Sequence, residues 1–301
     1  MFHPGGPRIM NQEIRSRVFL VGCPRSGTTL LQSLLAANSC IISFPESRFY
    51  QKLFSGRPLL SALGIASLQA RPRWNEFLEE VGHPEMISVL PKHAIFDRQF
   101  SGAFVEVLDT LAMKQGKSVW LEKTPAHLRR VDKIEKLVRG ARFVQILRNG
   151  EDNIASMFEV GNKYSETWGP WYGTLDQCIQ RWVTDARISM RCFSRKNHFI
   201  VRYEKLIANP APILVALCDF IGVPYEEKML SDYPKVAGQL ILKTEPWKAS
   251  VSEPIRPNSK RKFNDYLTEK QRQYIRDHIP EDIAGTLNHE ERESKRLSES
   301  S

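Results

Sequence analysis

Arg17-Val-Phe-Leu-Val-Gly22 is a short apolar run closed by glycine, and Cys23-Pro-Arg-Ser-Gly27 carries it directly into Thr28-Thr-Leu-Leu-Gln-Ser-Leu-Leu. Such a run, bounded by turn residues, reads as a buried strand. Leu30, Leu31, Leu34 and Leu35 recur at helical spacing, so a helix with one apolar stripe follows, with Asn38 placed to cap its carboxyl end. Further short apolar runs occur at Ile41-Ile42-Ser43, Ser118-Val-Trp-Leu121, Arg142-Phe-Val-Gln-Ile-Leu147 and His198-Phe-Ile-Val-Arg202. Helical segments separate them, which predicts an α/β protein with a parallel β-sheet flanked by helices on both faces.

Those helical segments have readable limits. Leu128, Val131, Ile134, Leu137 and Val138 face the core of one that Gly140 ends. Others start near Gly150, surround Trp182 and run from about Pro210 to Ile221, and Thr268-Glu-Lys-Gln271 has the capping-box spacing of a last helix. Residues 51–115 read as helices broken by Pro58, Pro72, Pro84 and Pro91. No repeat and no Gly-, Ser- or Pro-rich linker divides the chain. We therefore expect one domain over 1–301, with flexible ends at 1–14 and 285–301 and a helical insertion at 51–115.

Composition excludes several classes. Of 301 residues, 42% are hydrophobic and 26% charged, ample for a large core. No stretch approaches the roughly 20 apolar residues of a membrane span, and Met1–Gln12 lacks the apolar centre of a signal peptide. Cys23, Cys40, Cys178, Cys192 and Cys218 are odd in number and never in CxxC spacing, which argues against a disulfide framework and a zinc site. There is no Asn-x-Ser/Thr sequon either. A cytoplasmic protein is expected.

The net charge is 43 − 34 = +9, and residues 111–150 hold ten basic against three acidic side chains. An anionic partner follows, although charge alone does not name it. Gly22 and Gly27 have the spacing of the nucleotide P-loop, but Thr28 stands where its lysine belongs. Backbone N–H groups at the helix start still form an anion cradle, with hydroxyls from Ser26, Thr28 and Thr29 and a cation moved inside the loop as Arg25. A triphosphate needs the loop lysine and a metal held by an Asp; neither strand 118–121 nor 142–147 ends in Asp. A donor with fewer charges than ATP fits better.

The segment VFLVGCPRSGTTLLQSLL resembles the phosphosulfate loop of sulfotransferases that use 3′-phosphoadenosine 5′-phosphosulfate (PAPS), especially the tyrosylprotein and glycan branches. The resemblance spans about residues 17–270 and implies their P-loop-NTPase-like fold, PAPS as donor and its bisphosphate PAP as product, with no metal. Arg148 ends a strand and Ser156 lies eight residues on, the family's spacing for holding the 3′-phosphate. Asn149-Gly150 stands where the family often has Asp-Pro. Val201-Arg-Tyr-Glu-Lys-Leu206 resembles a further family segment that puts Tyr203 near the adenine, against which stands a buried structural tyrosine. Lys260, in the basic run 256–262, is either a nucleotide ligand or a solvated charge.

Glu46, in Phe44-Pro-Glu-Ser-Arg48, resembles the catalytic base of the same branches; a surface carboxylate is the alternative. His83 and His93 lack the context of the histidine base found in other branches. Lys123, in Glu122-Lys-Thr-Pro125, resembles the glycan-branch lysine that steadies the transferring group; the alternative is an ion pair with Glu122. The resemblance thus implies transfer of a sulfuryl group to a hydroxylated acceptor, with Glu46, Arg25 and Lys123 carrying the chemistry. The acceptor pocket would be lined by 51–115 and by the aromatics of Tyr164–Tyr172. Two rival readings remain: a P-loop phosphotransferase, or a basic nucleic-acid-binding protein. No aromatic-interleaved basic stretch favours the second, so no nucleic acid is expected.

Overall fold

The structure, a computed structural model, describes residues 13–240, 255 and 262–283. Five strands, β1 (Ser16–Gly22), β2 (Ile41–Ser43), β3 (Val119–Lys123), β4 (Ala141–Leu147) and β5 (His198–Arg202), form one sheet in the order β2-β3-β1-β4-β5. Every pairing is parallel. β1 is the central strand, and Val18, Phe19, Leu20 and Val21 are wholly buried. A strand covered on both faces needs no polar alternation, which is why β1 reads as a continuous apolar run.

Alternation still divides the core. Phe19 and Val21 point into one layer, where Phe19 meets Trp120 edge-on at 5.3 Å and stacks on Phe143 at 5.5 Å. Val18 and Leu20 point into the other layer, against Leu31, Leu34 and Leu35 of the helix Thr28–Ala36. The first layer is covered by Phe49–Leu53, Ala70–Glu80 and Asp97–Lys114, the second also by Pro210–Ile221 and Lys228–Leu240. A third cluster joins Gly150–Lys163, Leu175–Met190 and Glu269–His278. β1 leads out to β2 on one side, whereas β3 crosses to β4 on the other. The carboxyl end of β1 is therefore the place where an open α/β sheet leaves a crevice.

Three local expectations are corrected. β3 continues through Glu122 and Lys123 instead of stopping at Leu121, because both charged side chains are buried with partners. The segment around Leu128 is a 3-10 turn, Pro125–Arg130, followed by the helix Val131–Leu137. Pro58 and Pro84 begin helical elements and Pro72 lies in the first turn of Ala70–Glu80, so these prolines start helices rather than break them. A first-turn proline lacks only an N–H that has no intrahelical partner anyway. The capping box of the last helix is present, with Gln271 N–H donating to Thr268 Oγ1.

Candidate active site

The loop after β1 is shaped by what its glycines avoid. A Cβ on Gly22 would lie 2.6 Å from the Ile146 carbonyl oxygen. One on Gly27, at φ +103°, would lie 2.5 Å from the Tyr203 ring. Arg25 also has positive φ, at 69°. Ser26 N–H donates to the Cys23 carbonyl (3.2 Å), and Asn153 Nδ2 donates to the Pro24 carbonyl (2.8 Å), fixing the loop to the helix Gly150–Lys163. Gly27 is the N-cap of Thr28–Ala36 and no side chain caps that end, so its first N–H groups remain available to an anion. Ser26 Oγ is buried and has no hydrogen-bond partner among the described residues. A buried hydroxyl in that state costs stability unless something else meets it.

Arg148 follows β4 and meets this loop. Its Nη1 donates to the Arg25 carbonyl (3.4 Å), its guanidinium lies 4.6 Å over the Tyr203 ring, and its Nε has no partner among the described residues. Burial, then the neighbouring Arg148 charge, lowers the pKa of Arg25. Two guanidinium groups near enough to oppose each other's charge favour an anion beside them. The Asn149-Gly150 pair has a structural part of its own. Asn149 Oδ1 caps the next helix by accepting from Asp152 N–H (2.8 Å), and Glu204 accepts from both nitrogens of Asn149. A Cβ on Gly150 would meet Ile279 and Trp182 at 2.8 and 2.9 Å. Ser156, Thr28 and Thr29 are buried near this edge, Ser156 on the helix that Asn149 caps. Tyr203 is half-buried beside Gly27 and Arg148. Lys260 lies outside the described residues.

The β2 and β3 ends bring the other two expected residues into contact. Lys123, almost wholly buried, donates from Nζ to Glu46 Oε1. The alternative pair with Glu122 does not form, because neighbouring strand residues point to opposite faces of the sheet. Glu122 is instead the centre of a buried network. It accepts from Ser47 N–H (3.2 Å), Ser47 Oγ (2.7 Å), Thr124 Oγ1 (2.6 Å) and the His127 ring at Nδ1 (2.9 Å). His127 Nε2 accepts from Tyr50 N–H (3.1 Å), so the ring proton sits on Nδ1. Burial opposes the charge on Glu122, but His127 and the two hydroxyls outweigh it and hold the carboxyl below its usual range. Arg73 Nε closes the other side by donating to the Ser47 carbonyl.

Sequence reasoning did not find this network, since Ser47, Glu122, Thr124 and His127 form no spacing motif across 75 or more residues of loop closure between Ser47 and Glu122. It also missed Asp185, which is buried and accepts from Arg129 Nε (2.7 Å) and Arg181 Nε (2.8 Å). That cluster bridges the end of β3, from which Arg129 follows, to the end of β4, where Trp182 Nε1 donates to the Arg148 carbonyl (3.1 Å). Among the aromatics of Tyr164–Tyr172, Tyr172 is buried and stacks on Trp168 at 5.6 Å, whereas Trp171 is exposed.

A loop with an uncapped helix start, a strand-end arginine beside it and a carboxylate–lysine contact thus lie on one edge of a parallel α/β sheet. The model of the sulfotransferase family matches residues 17–227, and the chain belongs to that family. Among its relatives is protein-tyrosine sulfotransferase A of Caenorhabditis elegans, 22% identical over 71% of this chain and 51% of that protein. Protein-tyrosine sulfotransferase 1 of Danio rerio is 22% identical over 74% of this chain and 58% of its own length. The chain thus spans about half the length of the curated relatives it matches. The sulfotransferase domain of the Synechococcus PCC 7002 olefin synthase superposes with a TM-score of 0.58 over 90% of this chain and 97% of that one, at 18% identity. The fold is that of the sulfotransferases, a P-loop-like α/β architecture.

Proposed function

We propose that this chain transfers a sulfuryl group from PAPS to a hydroxyl of an acceptor, which is a glycan, a lipid, a small molecule or a tyrosine. The observation that carries the reading is the contact of Glu46 with Lys123 on the same sheet edge as the Arg25–Arg148 pair. A base for the acceptor hydroxyl and a cation for the transferring group have to meet at one reacting centre, and here they touch. PAPS supplies the sulfuryl group on an activated phosphosulfate anhydride. The orphaned Ser26 hydroxyl, the uncapped helix start and the Arg148 Nε suit such a ligand, which has two separate anionic ends.

Within this reading, Glu46 takes the proton of the acceptor hydroxyl as its oxygen attacks sulfur in line. Lys123 and Arg25 offset charge on the transferring group, and Ser26, Gly27, Thr28 and Thr29 hold the 5′ end. Arg148 and Ser156 hold the 3′-phosphate, Tyr203 flanks the adenine, and Lys260 adds a further cation. No step requires a metal. The chain acts as one domain over 1–301, with 51–115 shaping the acceptor side. The five free thiols, four of them buried, support a reducing, cytoplasmic setting.

Glu46→Gln tests the base. It should keep PAP affinity and lose turnover by roughly 100-fold or more, measured with labelled donor and an acceptor panel. Unchanged turnover excludes Glu46. Arg148→Ala should weaken PAP binding by calorimetry, and unaltered affinity would remove the 3′-phosphate assignment.

A further inference from the structure

Four large aliphatic side chains stand out from one small area of the surface. Leu59 is 80% exposed, Leu63 67%, Leu68 97% and Ile95 55%. They are neighbours in space. Leu59 and Leu63 are one helical turn apart, with Leu63 N–H donating to the Leu59 carbonyl (3.0 Å). Ala66 N–H donates to the Ile95 carbonyl (2.8 Å), and Ser67 N–H to the Leu53 carbonyl (2.7 Å), so Leu68 leaves the surface beside both. Single exposed leucines are ordinary, but a contiguous group marks a contact surface.

Charge surrounds the group. Residues 52–68 and 91–98 carry Lys52, Arg57, Lys92 and Arg98 against Asp97, a balance of 4 − 1 = +3. All four cations are exposed. Each is placed by its backbone: Arg57 accepts from Ser61 N–H (3.0 Å) in the turn that carries Leu59, and Lys92 accepts from Arg71 Nη2 (3.0 Å). Arg98 follows Asp97, whose N–H donates to the Gly64 carbonyl (2.8 Å) next to Leu63. Lys52 precedes Leu53, which holds Ser67.

We infer that this face docks on an anionic membrane surface, with the leucines entering the interfacial layer and the cations meeting lipid headgroups. Protruding aliphatic side chains inside a basic rim match the pattern of peripheral membrane binding, in which apolar burial and attraction to acidic lipid act together. A protein partner fits less well, because protein interfaces concentrate tyrosine, tryptophan and arginine at their centres, and no aromatic residue stands among the four. The inference is independent of the transfer reading. It holds the chain on a membrane without spanning it; no helix among the described residues is long and apolar enough to cross one.

Vesicle co-sedimentation of the full chain tests it. Wild type should pellet with phosphatidylcholine vesicles that contain about a third phosphatidylserine, much less with phosphatidylcholine alone, and less as salt is raised. The double variant Leu63→Glu/Leu68→Glu should bind the acidic vesicles at least about 10-fold more weakly, and Arg57→Gln/Lys92→Gln should lose most of the acidic-lipid preference. Both should keep the wild-type melting temperature, which shows that the fold is intact. Wild type left in the supernatant, or leucine variants that bind as well as wild type, would overturn the proposal. So would sedimentation velocity showing a wild-type dimer that the leucine variant dissolves without any vesicle binding, since the face would then join two copies.

Discussion

Glu122 is buried and engaged by Ser47, Thr124 and His127, and through Ser47 it organises the turn that carries Glu46, the proposed base. Its Oε1 holds Ser47 by both backbone N–H and side-chain hydroxyl while Oε2 holds His127, and Ser47 is the neighbour of Glu46. Without that anchor, the turn carrying Glu46 would rest on Lys123 and the Arg73 bond to the Ser47 carbonyl. Glu122→Gln keeps the shape but replaces one accepting oxygen with an N–H₂ group that faces donors. The expected loss is about 1–3 kcal/mol of stability by urea unfolding, the cost of leaving a buried donor unmet. If Glu46 is the base as proposed, turnover should fall while KM and PAP affinity change little, since the variant disturbs the Glu46 turn and not the Arg25–Arg148 loop. A urea midpoint equal to wild type would show that the carboxylate is not ionised within the fold. The site was therefore legible in part. The positions of Arg25, Lys123, Arg148 and Glu46 could be read from the sequence because each lies at or within a few residues of a strand end, a place that sequence pattern marks; their roles remain those proposed above. Glu122 and His127 were not, because a buried charge looks like the end of a strand until its partners, distant in sequence, are brought to it.

At the level of elements, apolar density was enough to find all five strands and their alternation with helices. The limit of β3 failed for a physical reason, in that Glu122 and Lys123 are tolerated inside the strand because each is supplied with a partner. The prolines of 51–115 failed differently, since a proline is neutral at a first turn and harmful only further in. The β4–β5 edge offers a second buried polar device. His198 stacks on Phe143 at 4.6 Å, accepts at Nδ1 from Gln145 Nε2, and donates from Nε2 to Glu135 Oε1 (2.8 Å). Arg195 bonds the same carboxylate (2.8 Å) and Asp132 (2.7 Å). Burial lowers the pKa of His198, and the bond to Glu135 opposes this without reversing it. Between the ordinary histidine value, about 6.5, and the lower folded value, only the unfolded chain takes up the proton. Stability should thus fall as pH drops below about 6.5 and level off beneath the folded value. Urea midpoints at pH 7.5 and 5.5 for wild type and His198→Gln check the sign. The wild-type advantage should shrink at pH 5.5; a constant gap would uncouple His198 from the transition.

For the molecule as a whole, the excess of +9 is less of a field than its size suggests. Arg17 is held by Asp109, Arg129 and Arg181 by Asp185, Arg195 by Glu135 and Asp132, and Arg73 by Glu76 and Glu80. Lys133 donates to Ser61 (2.6 Å) and lies 4.4 Å from the Phe54 ring. Within the basic stretch 111–150, Lys117 donates to the Ser39 carbonyl (2.7 Å), Lys123 pairs with Glu46 and Arg129 with Asp185, so a polyanion reading charge along the surface would find part of it already engaged. Arg25 and Arg148 differ, because they converge on a loop whose hydroxyl and helix start have unmet hydrogen-bonding capacity. A small ligand with two anionic ends should therefore outperform a larger or more highly charged one. Thermal unfolding with PAP, ATP plus Mg²⁺ or duplex DNA separates the three possibilities. PAP at 100-fold over its Kd should add about 2.7 kcal/mol, with a melting temperature that climbs with ligand concentration. Because its cations are partly buried, that shift should survive added salt far better than any DNA effect, which falls steeply as counterions compete. Stabilisation by ATP plus Mg²⁺ without any by PAP would assign the loop to phosphoryl transfer, and a salt-sensitive shift with DNA alone would move the function to the basic surface.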